Sequence, residues 1–324
     1  MGDIVLRVET RRTRLSANGF IWITRCAALF RCQTCSMASE KPPLVLLHPF
    51  LLSGNVWHDV IPYLSGRHQV YTPTLLGHRG GPPVQRHPAT ITDVIDVAER
   101  FLDDQRLERP HLVGNSTGGY VAIELARRGR AATVCALSPA GFWSIGDGSD
   151  TRGANKVRRI AAIARIARPV APVIFRSAIV RRLSFRSIDA ACHADRLSAA
   201  RAVETLGDIV ACTVSVNEVH DQEQIAPLDP LPCPITLAWS ENDSLFPVAT
   251  YGKVARERLP RATFKILSDV GHAPMVDDPE LVARTILEVT GAHAAALTTP
   301  PAVDQYAIPP ASQRHGKYVL RDLE

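Results

Sequence analysis

Short apolar runs of four to six residues recur along the middle of the chain, and most are bounded by proline, glycine or polar residues. Runs of this length and composition are typical of buried strands in a parallel sheet. They predict six strands, at residues 44–47, 69–72, 111–114, 133–137, 234–239 and 263–267.

Helical periodicity fills several of the intervals between these runs. Residues 90–106 repeat apolar side chains at helical spacing, and either Thr90 or Thr92 is placed to cap that helix. A second helix runs through Ala122 and stops near Gly129, and the last spans 279–289. Strands that alternate with helices predict an α/β fold, a mostly parallel sheet with helices on both faces.

The alternation stops between residues 142 and 230, where no strand pattern is present. We expect an inserted helical cap here, built of amphipathic helices edged with arginine. Its apolar positions include Ile160, Ile163, Ile166, Val170, Val173 and Ile174.

These patterns divide the chain into a core of residues 37–141 and 231–291, with the cap of 142–230 inserted between the two parts. Residues 292–324 are rich in Ala, Thr and Pro before a charged end, which is typical of a disordered tail. Residues 1–36 are expected to be either a hairpin around Asn18-Gly19 or a poorly ordered extension.

Composition narrows the class of protein. The net charge of +5 is not gathered in a basic, aromatic module, so we expect no nucleic-acid partner. The seven cysteines are scattered except for Cys32 and Cys35, which favours a reducing, cytoplasmic location and no structural metal. No apolar run reaches the length of a transmembrane helix, and Arg25 interrupts the apolar stretch of a possible signal peptide.

The strongest chemical signal is Gly114-Asn115-Ser116-Thr117-Gly118, which fits the pattern G-x-S-x-G. A predicted strand precedes it and a predicted helix follows it. Such a sharp turn forces the serine into strained backbone geometry and leaves space for glycine alone beside it. Ser116 is therefore the candidate nucleophile.

A serine hydroxyl needs a base and a group that orients that base. His272 follows the strand at 263–267, and Asp243 follows the strand at 234–239, with Glu241 as a weaker alternative acid. We expect Asp269 to point away from His272. The order Ser116, Asp243, His272 is the nucleophile, acid and base order of an α/β-hydrolase triad.

Acyl transfer also needs two backbone N–H groups aimed at the developing oxyanion. Thr117, directly after the nucleophile, is the first candidate donor. The second is Phe50 in the loop after residues 44–47, because Pro49 has no N–H group.

From about Met37 to Gly291 the chain resembles α/β-hydrolases with a helical cap. The resemblance rests on residues 46–50 with Trp57, on 114–119, on 239–247 and on 271–274. Many relatives carry His-Gly where this chain has His48-Pro49. Dehalogenases and epoxide hydrolases of this family carry Asp at the position of Ser116, which argues against both activities.

The resemblance implies a serine hydrolase that cleaves an ester-like bond of a small, mainly apolar substrate, with no metal or organic cofactor. A carbon–carbon bond hydrolase is the first alternative, because Gly-Asn-Ser is frequent in that group, although its glycine-rich segment is missing from 48–57. A receptor-like ligand-binding protein is the second alternative. Membrane-surface action, with the arginines of 152–186 on anionic lipid, is a further possibility.

Overall fold

The structure, a computed structural model, describes residues 41–144, 149–187, 191–214 and 224–292. The predicted extension at 1–36 and all but the first residue of the predicted tail lie outside the described residues.

Six parallel strands form one sheet in the order β2-β1-β3-β4-β5-β6. The strands are β1 Pro43–Leu47, β2 Gln69–Tyr71, β3 His111–Asn115, β4 Thr133–Leu137, β5 Ile235–Ser240 and β6 Thr263–Leu267. All five neighbouring pairs are parallel, as the apolar runs predict. The predicted bounds of β4 and β6 are unchanged, β1, β2 and β3 differ by one residue at one end, and β5 is shifted by one residue at both ends.

Ten α-helices connect or flank these strands in the described residues. They are α1 Ile61–Leu64, α2 Ile91–Asp104, α3 Thr117–Arg127, α4 Ser149–Ala167, α5 Ala171–Ile174, α6 Ala178–Ser187, α7 Ala199–Ala211, α8 Lys253–Arg258, α9 Pro274–Asp277 and α10 Pro279–Val289. Short 3₁₀ turns at Gly54–Trp57 and Ala194–Arg196 and a π turn at Val248–Gly252 complete the set. None of the described helices is both long and apolar enough to span a bilayer.

Thr90, not Thr92, caps α2. The Thr90 side chain accepts a hydrogen bond from the Asp93 N–H group, and the Asp93 carboxylate accepts one from the Thr90 N–H group. This reciprocal capping box satisfies two N–H groups that the helix itself leaves unpaired.

The strand order places a crevice at one end of the sheet. The chain leaves β1 toward β2 on one side and returns to β3 on the other, so the connections diverge between β1 and β3. In open parallel sheets, ligands bind outside the carboxyl ends of the strands at such a point. The loop after β1 and the turn after β3 both lie there.

In the described residues between β4 and β5 the chain forms helices α4 to α7, and we call this insertion the cap segment. Its buried side chains on α4 are Ala154, Val157, Ile160 and Ala164. The apolar pattern at 163, 166, 170 and 173 does not form a buried face as amphipathic packing would require. Ile166 is 80% exposed and Val173 is 67% exposed, because small alanines and the side chains at 157 and 160 supply the inward contacts.

Candidate active site

Ser116 lies at the turn between β3 and α3. Its backbone has φ 55° and ψ −118°, a left-handed conformation that is strained for a residue with a side chain. The Ser116 N–H group donates to Leu137 O at 3.0 Å, and the Ser116 carbonyl accepts from Tyr120 and Ala140. Backbone bonds on both sides of the residue therefore maintain the strained turn.

Glycine is required on both sides of Ser116 by close backbone approach. A Cβ atom at Gly114 would lie 2.1 Å from Gly118 O, and one at Gly118 would lie 2.2 Å from Leu47 O. Both distances are far shorter than any van der Waals contact, and both neighbouring atoms are backbone. The G-x-S-x-G spacing thus follows from packing of the elbow against β1 as well as from the turn.

His272 and Asp243 form a buried hydrogen-bonded pair. His272 Nδ1 lies 2.8 Å from Asp243 Oδ2, and the two side chains are 7% and 0% exposed. Asp243 Oδ1 accepts from the Phe246 N–H group at 2.7 Å, which fixes the carboxylate. Because Nδ1 faces a carboxylate, it carries the proton, and Nε2 is left to accept one.

The other two acids considered near this pair lie elsewhere. Asp269 is 80% exposed, and its Oδ2 lies 3.2 Å from His193 Nε2. Glu241 is exposed, and its carboxylate accepts from the Asp269 N–H group. Neither is hydrogen-bonded to His272 in the described part of the chain.

Asn115 connects the turn that carries Ser116 to the loop that carries His272. Its Nδ2 group donates to His272 O and to Leu137 O, both at 2.9 Å. The side chain is fully buried. The sequence did not predict this link to the His272 loop, because Asn115 was considered there only as an indication of the substrate class.

The loop after β1 supplies the candidate oxyanion donors. The Leu51 N–H group donates to His78 Nε2 at 3.1 Å, so it is already engaged. Within the described residues, neither the Phe50 N–H group nor the Thr117 N–H group donates a hydrogen bond. These are the two donors that the sequence predicted, and Thr117 opens helix α3, whose N-terminus favours negative charge.

Two buried histidines hold this loop in place. His48 Nδ1 lies 2.8 Å from Pro49 O, and its Nε2 accepts from the Leu75 N–H group at 2.9 Å. His78 Nδ1 lies 2.9 Å from Leu76 O. Each ring donates through one nitrogen and accepts through the other, which requires the neutral form.

Burial favours that neutral form. It lowers the pKa of His78 from 6.5 to about 4, and it lowers the pKa of His48 well below 6.5, with repulsion from His78 adding to the shift. The sequence pattern assigned no functional role to His78. Its position in the Gly77-His78 turn carried no signal of a hydrogen bond to Leu51.

Asp277 joins the cap segment to the His272 loop. Its buried carboxylate accepts from the N–H groups of Gly271 at 2.7 Å, Cys192 at 3.0 Å and His193 at 2.6 Å. Burial raises the pKa of Asp277, and the three N–H groups oppose that shift. The sequence gave no indication of this contact, because its donors lie up to 85 residues away.

Ser116, His272 and Phe50 line one cavity, which extends under the cap segment. About 720 Å³ of atom-free space lies between its walls, counting the opening to solvent. Among the described lining residues of this cavity, only His272 has a side chain that titrates near neutral pH. The rest of the lining is mainly apolar: Pro49, Leu51, Leu52, Val157, Ile160, Phe185, Ala191, Thr205, Ile209, Leu245, Phe246, Ala273 and Val276.

The described residues contain no group of three or more His, Cys, Asp or Glu side chains arranged to hold a metal ion.

Comparison with known proteins finds hydrolases that are similar in sequence or in fold. The chain is 29% identical over 195 residues to epoxide hydrolase EphH of Mycobacterium tuberculosis, covering 59% of this chain and 90% of that protein. It is 29% identical over 280 residues to the pimeloyl-[acyl-carrier protein] methyl ester esterase of Aromatoleum aromaticum, covering 77% and 98%. The fold is similar to that of a thermophilic esterase from Thermogutta terrifontis, with a TM-score of 0.51, 24% identity and coverage of 79% and 92%.

The family comparison agrees with the fold. Residues 44–285, most of the chain, match the alpha/beta hydrolase family. The matched region contains the six strands except the first residue of β1, the turn that carries Ser116 and the buried His–Asp pair. The chain belongs to the alpha/beta hydrolase family.

Proposed function

We propose that this protein is a serine hydrolase that cleaves an ester-like bond of a small, mainly apolar substrate through an acyl-enzyme. The observation that carries the proposal is the 2.8 Å bond from His272 Nδ1 to Asp243 Oδ2, in a cavity that Ser116 also lines. A base held in one tautomer, in the same cavity as a strained serine, is the arrangement that acyl transfer needs.

The first half of the reaction forms the acyl-enzyme. Ser116 Oγ attacks the substrate carbonyl while His272 Nε2 takes its proton. Asp243 stabilises the imidazolium that results. The N–H groups of Phe50 and Thr117 donate to the oxyanion, and His272 returns the proton to the leaving alcohol.

The second half releases the acyl group. Water gives a proton to His272 and attacks the carbonyl carbon of the Ser116 ester. The same N–H groups stabilise the second oxyanion, and the serine regains its proton from His272 as the carboxylic acid leaves. The apolar cavity favours an uncharged acyl or alcohol group next to the reacting bond.

Epoxide hydrolysis deserves comparison, because one relative bears that name. Attack on an epoxide by a carboxylate nucleophile gives an ester, which water can hydrolyse at its carbonyl. Attack by Ser116 would give an ether, which has no carbonyl for water to attack. The nucleophile in this chain therefore favours an ester substrate over an epoxide.

The carbon–carbon bond hydrolase alternative rested on Asn115 beside the nucleophile. The Nδ2 group of Asn115 donates to both Leu137 O and His272 O, whereas its Oδ1 atom is buried without a hydrogen-bond partner in the described residues. The two Nδ2 bonds give Asn115 a positioning role, so its presence does not favour that reaction over ester cleavage.

Turnover of a series of p-nitrophenyl esters, from acetate to octanoate, tests the proposal. We expect hydrolysis with a short-to-medium chain optimum and, on rapid quenching, an acyl adduct on the peptide that contains Ser116. The variant Ser116→Ala should form no adduct, whereas the control Ser65→Ala, at a half-buried position outside the cavity lining, should react like the wild type. Absence of turnover, as expected of a receptor-like protein, would contradict the proposal.

A further inference from the structure

The cap segment contains a stretch with a high density of positive charge. Residues 152–187 contain ten Lys and Arg and no Asp or Glu. Since the whole chain carries +5, the remainder carries a net charge of −5. One stretch of about a tenth of the sequence therefore supplies all of the positive excess.

Helices α4, α5 and α6 have two distinct faces. Their inner side chains are buried, and three of these, Val157, Ile160 and Phe185, line the cavity under the cap segment. Helices α4, α5 and α6 all pack against α7. Many of their other described side chains are exposed.

The exposed face is unusually apolar. Seven large hydrophobic side chains are exposed among the described residues, and six of them lie within residues 163–183. The most exposed are Ile166 at 80%, Ile179 at 71%, Val173 at 67% and Leu183 at 62%. Scattered exposed aliphatics are ordinary on protein surfaces, but their concentration within one stretch of 21 residues, on α4, α5, α6 and the connection before α5, marks an interaction surface.

Arginines without acidic partners lie between these aliphatic side chains. Arg165, Arg168 and Arg176 are exposed, and none of them forms an ion pair within the described residues. Arg182 lies 3.8 Å from Asp195, a weak pair. Arg181 is different, because it is buried and donates to the backbone oxygens of Phe175 and Asp195.

We infer that this face docks on the surface of an anionic lipid bilayer. We call it the outer cap face and define it by two sets of residues, the aliphatic Ile163, Ile166, Val170, Val173, Ile179 and Leu183 and the basic Arg165, Arg168 and Arg176. Aliphatic side chains enter the boundary between headgroups and acyl chains, while arginines bind the lipid phosphates. Both features of the face are used by this one partner.

Other partners use only part of the face. A nucleic acid would pair with the arginines but leave the six aliphatic side chains without contacts. A second copy of the chain would bury the aliphatic groups but bring two strongly basic surfaces together, which is repulsive. An anionic bilayer is complementary to the charge and to the apolar groups at once.

Docking of the outer cap face would also bring the apolar cavity that Ser116 lines close to the bilayer. The inner faces of the same helices line the apolar cavity. A substrate that partitions into lipid would then be concentrated next to the cap segment. The docking itself does not depend on the proposed chemistry, and its test reads binding alone.

Vesicle flotation with the full chain tests the inference. The probes are vesicles of phosphatidylcholine and vesicles with about one third phosphatidylglycerol, each at ~0.1 M and ~1 M salt. We expect the wild type to float with the anionic vesicles at low salt, with binding about tenfold weaker to the neutral vesicles and about tenfold weaker at high salt.

Two triple variants separate the two features of the face. Ile166→Ser with Val173→Ser and Leu183→Ser removes apolar groups, and Arg165→Gln with Arg168→Gln and Arg176→Gln removes charge. Each should weaken binding by about tenfold or more. Matched controls on the core are Ile266→Ser and the pair Arg67→Gln with Arg284→Gln, all exposed, which should bind like the wild type.

Three results would overturn the inference. The first is a wild type that stays unbound with anionic vesicles. The second is binding that the serine variant retains in full, which would indicate generic attraction to polyanions. The third is a dimer in light scattering that the serine variant dissociates, in a protein that does not float. Far-ultraviolet circular dichroism and thermal melting confirm that each variant is folded.

Discussion

His272 Nδ1 lies 2.8 Å from Asp243 Oδ2, although the two residues are 29 positions apart in the chain and follow different strands, β6 and β5. Because β5 and β6 are parallel neighbours, the loops that leave their carboxyl ends meet at one edge of the sheet. The Phe246 N–H group then fixes the second carboxylate oxygen. The pair orients an imidazole within a buried, mainly apolar cavity.

Removing the negative charge of Asp243 should disable the base. In Asp243→Asn, the amide would favour the wrong tautomer and would not stabilise the imidazolium, so kcat for a p-nitrophenyl ester should fall by about four orders of magnitude. The exposed neighbour offers a control, since Glu241→Gln should change kcat by less than about twofold. Equal effects of the two substitutions would contradict the assignment.

Asn115 should contribute to both stability and rate. The variant Asn115→Ala leaves the His272 carbonyl oxygen without its donor and removes one of two donors to Leu137 O, which keeps the Ser116 N–H group. We expect the free energy of unfolding to fall by about 2 kcal/mol and kcat to fall with little change in KM. A loss of stability with kcat unchanged would show that the bond to His272 O does not position the base.

Much of the fold was predictable, because the central strands are buried on both faces and their apolar runs have few alternative structures. The order Ser116, Asp243, His272 after three strands predicted residues that the structure brings to one end of the sheet. Asn115 and Asp277 were not predictable as links to the His272 loop. Their partners are backbone groups distant in sequence, and no local pattern of residue types records such bonds.

The packing of the cap segment was harder to predict than the central sheet. Apolar residues at helical spacing predicted its helices, but the spacing did not distinguish Ile160, which is buried, from Ile166, which is exposed. Burial there depends on where α7 packs, and small alanines made that contact possible. The exposed aliphatic side chains are therefore a result of the three-dimensional structure alone.

Neutral His78 should make stability depend on pH. Its pKa of about 4 in the folded protein lies below the 6.5 of the unfolded chain, so the unfolded state binds more protons between these values. The stabilisation is present above about pH 6.5 and is lost as pH falls toward 4. For this one group the loss between pH ~7.5 and ~5 is about 2 kcal/mol.

Urea unfolding of His78→Asn over that range checks the sign and size. The variant should lose less stability on acidification than the wild type, and its kcat should be lower at every pH because Leu51 N–H loses its acceptor. His68, whose pKa burial also lowers to about 4, is the comparison, since His68→Asn should flatten the profile without reducing kcat. An unchanged pH profile in His78→Asn would refute this account.

The capping box of α2 gives a matched pair of threonines. Thr90→Ala removes the acceptor for the Asp93 N–H group and should lower the free energy of unfolding by about 1 kcal/mol. Thr92→Ala, at an exposed position two residues later, should leave it nearly unchanged or slightly raised. Thermal melting of the two variants side by side distinguishes them, and a larger effect at Thr92 would contradict the cap.

The nucleophile is the central claim, and covalent labelling tests it most directly. A fluorophosphonate reacts with a serine only when a base activates it and an oxyanion site holds the phosphonyl oxygen. We predict stoichiometric labelling of the wild type at the peptide that contains Ser116, and none in Ser116→Ala. A wild type that does not label, or an alanine variant that labels equally, would contradict the assignment.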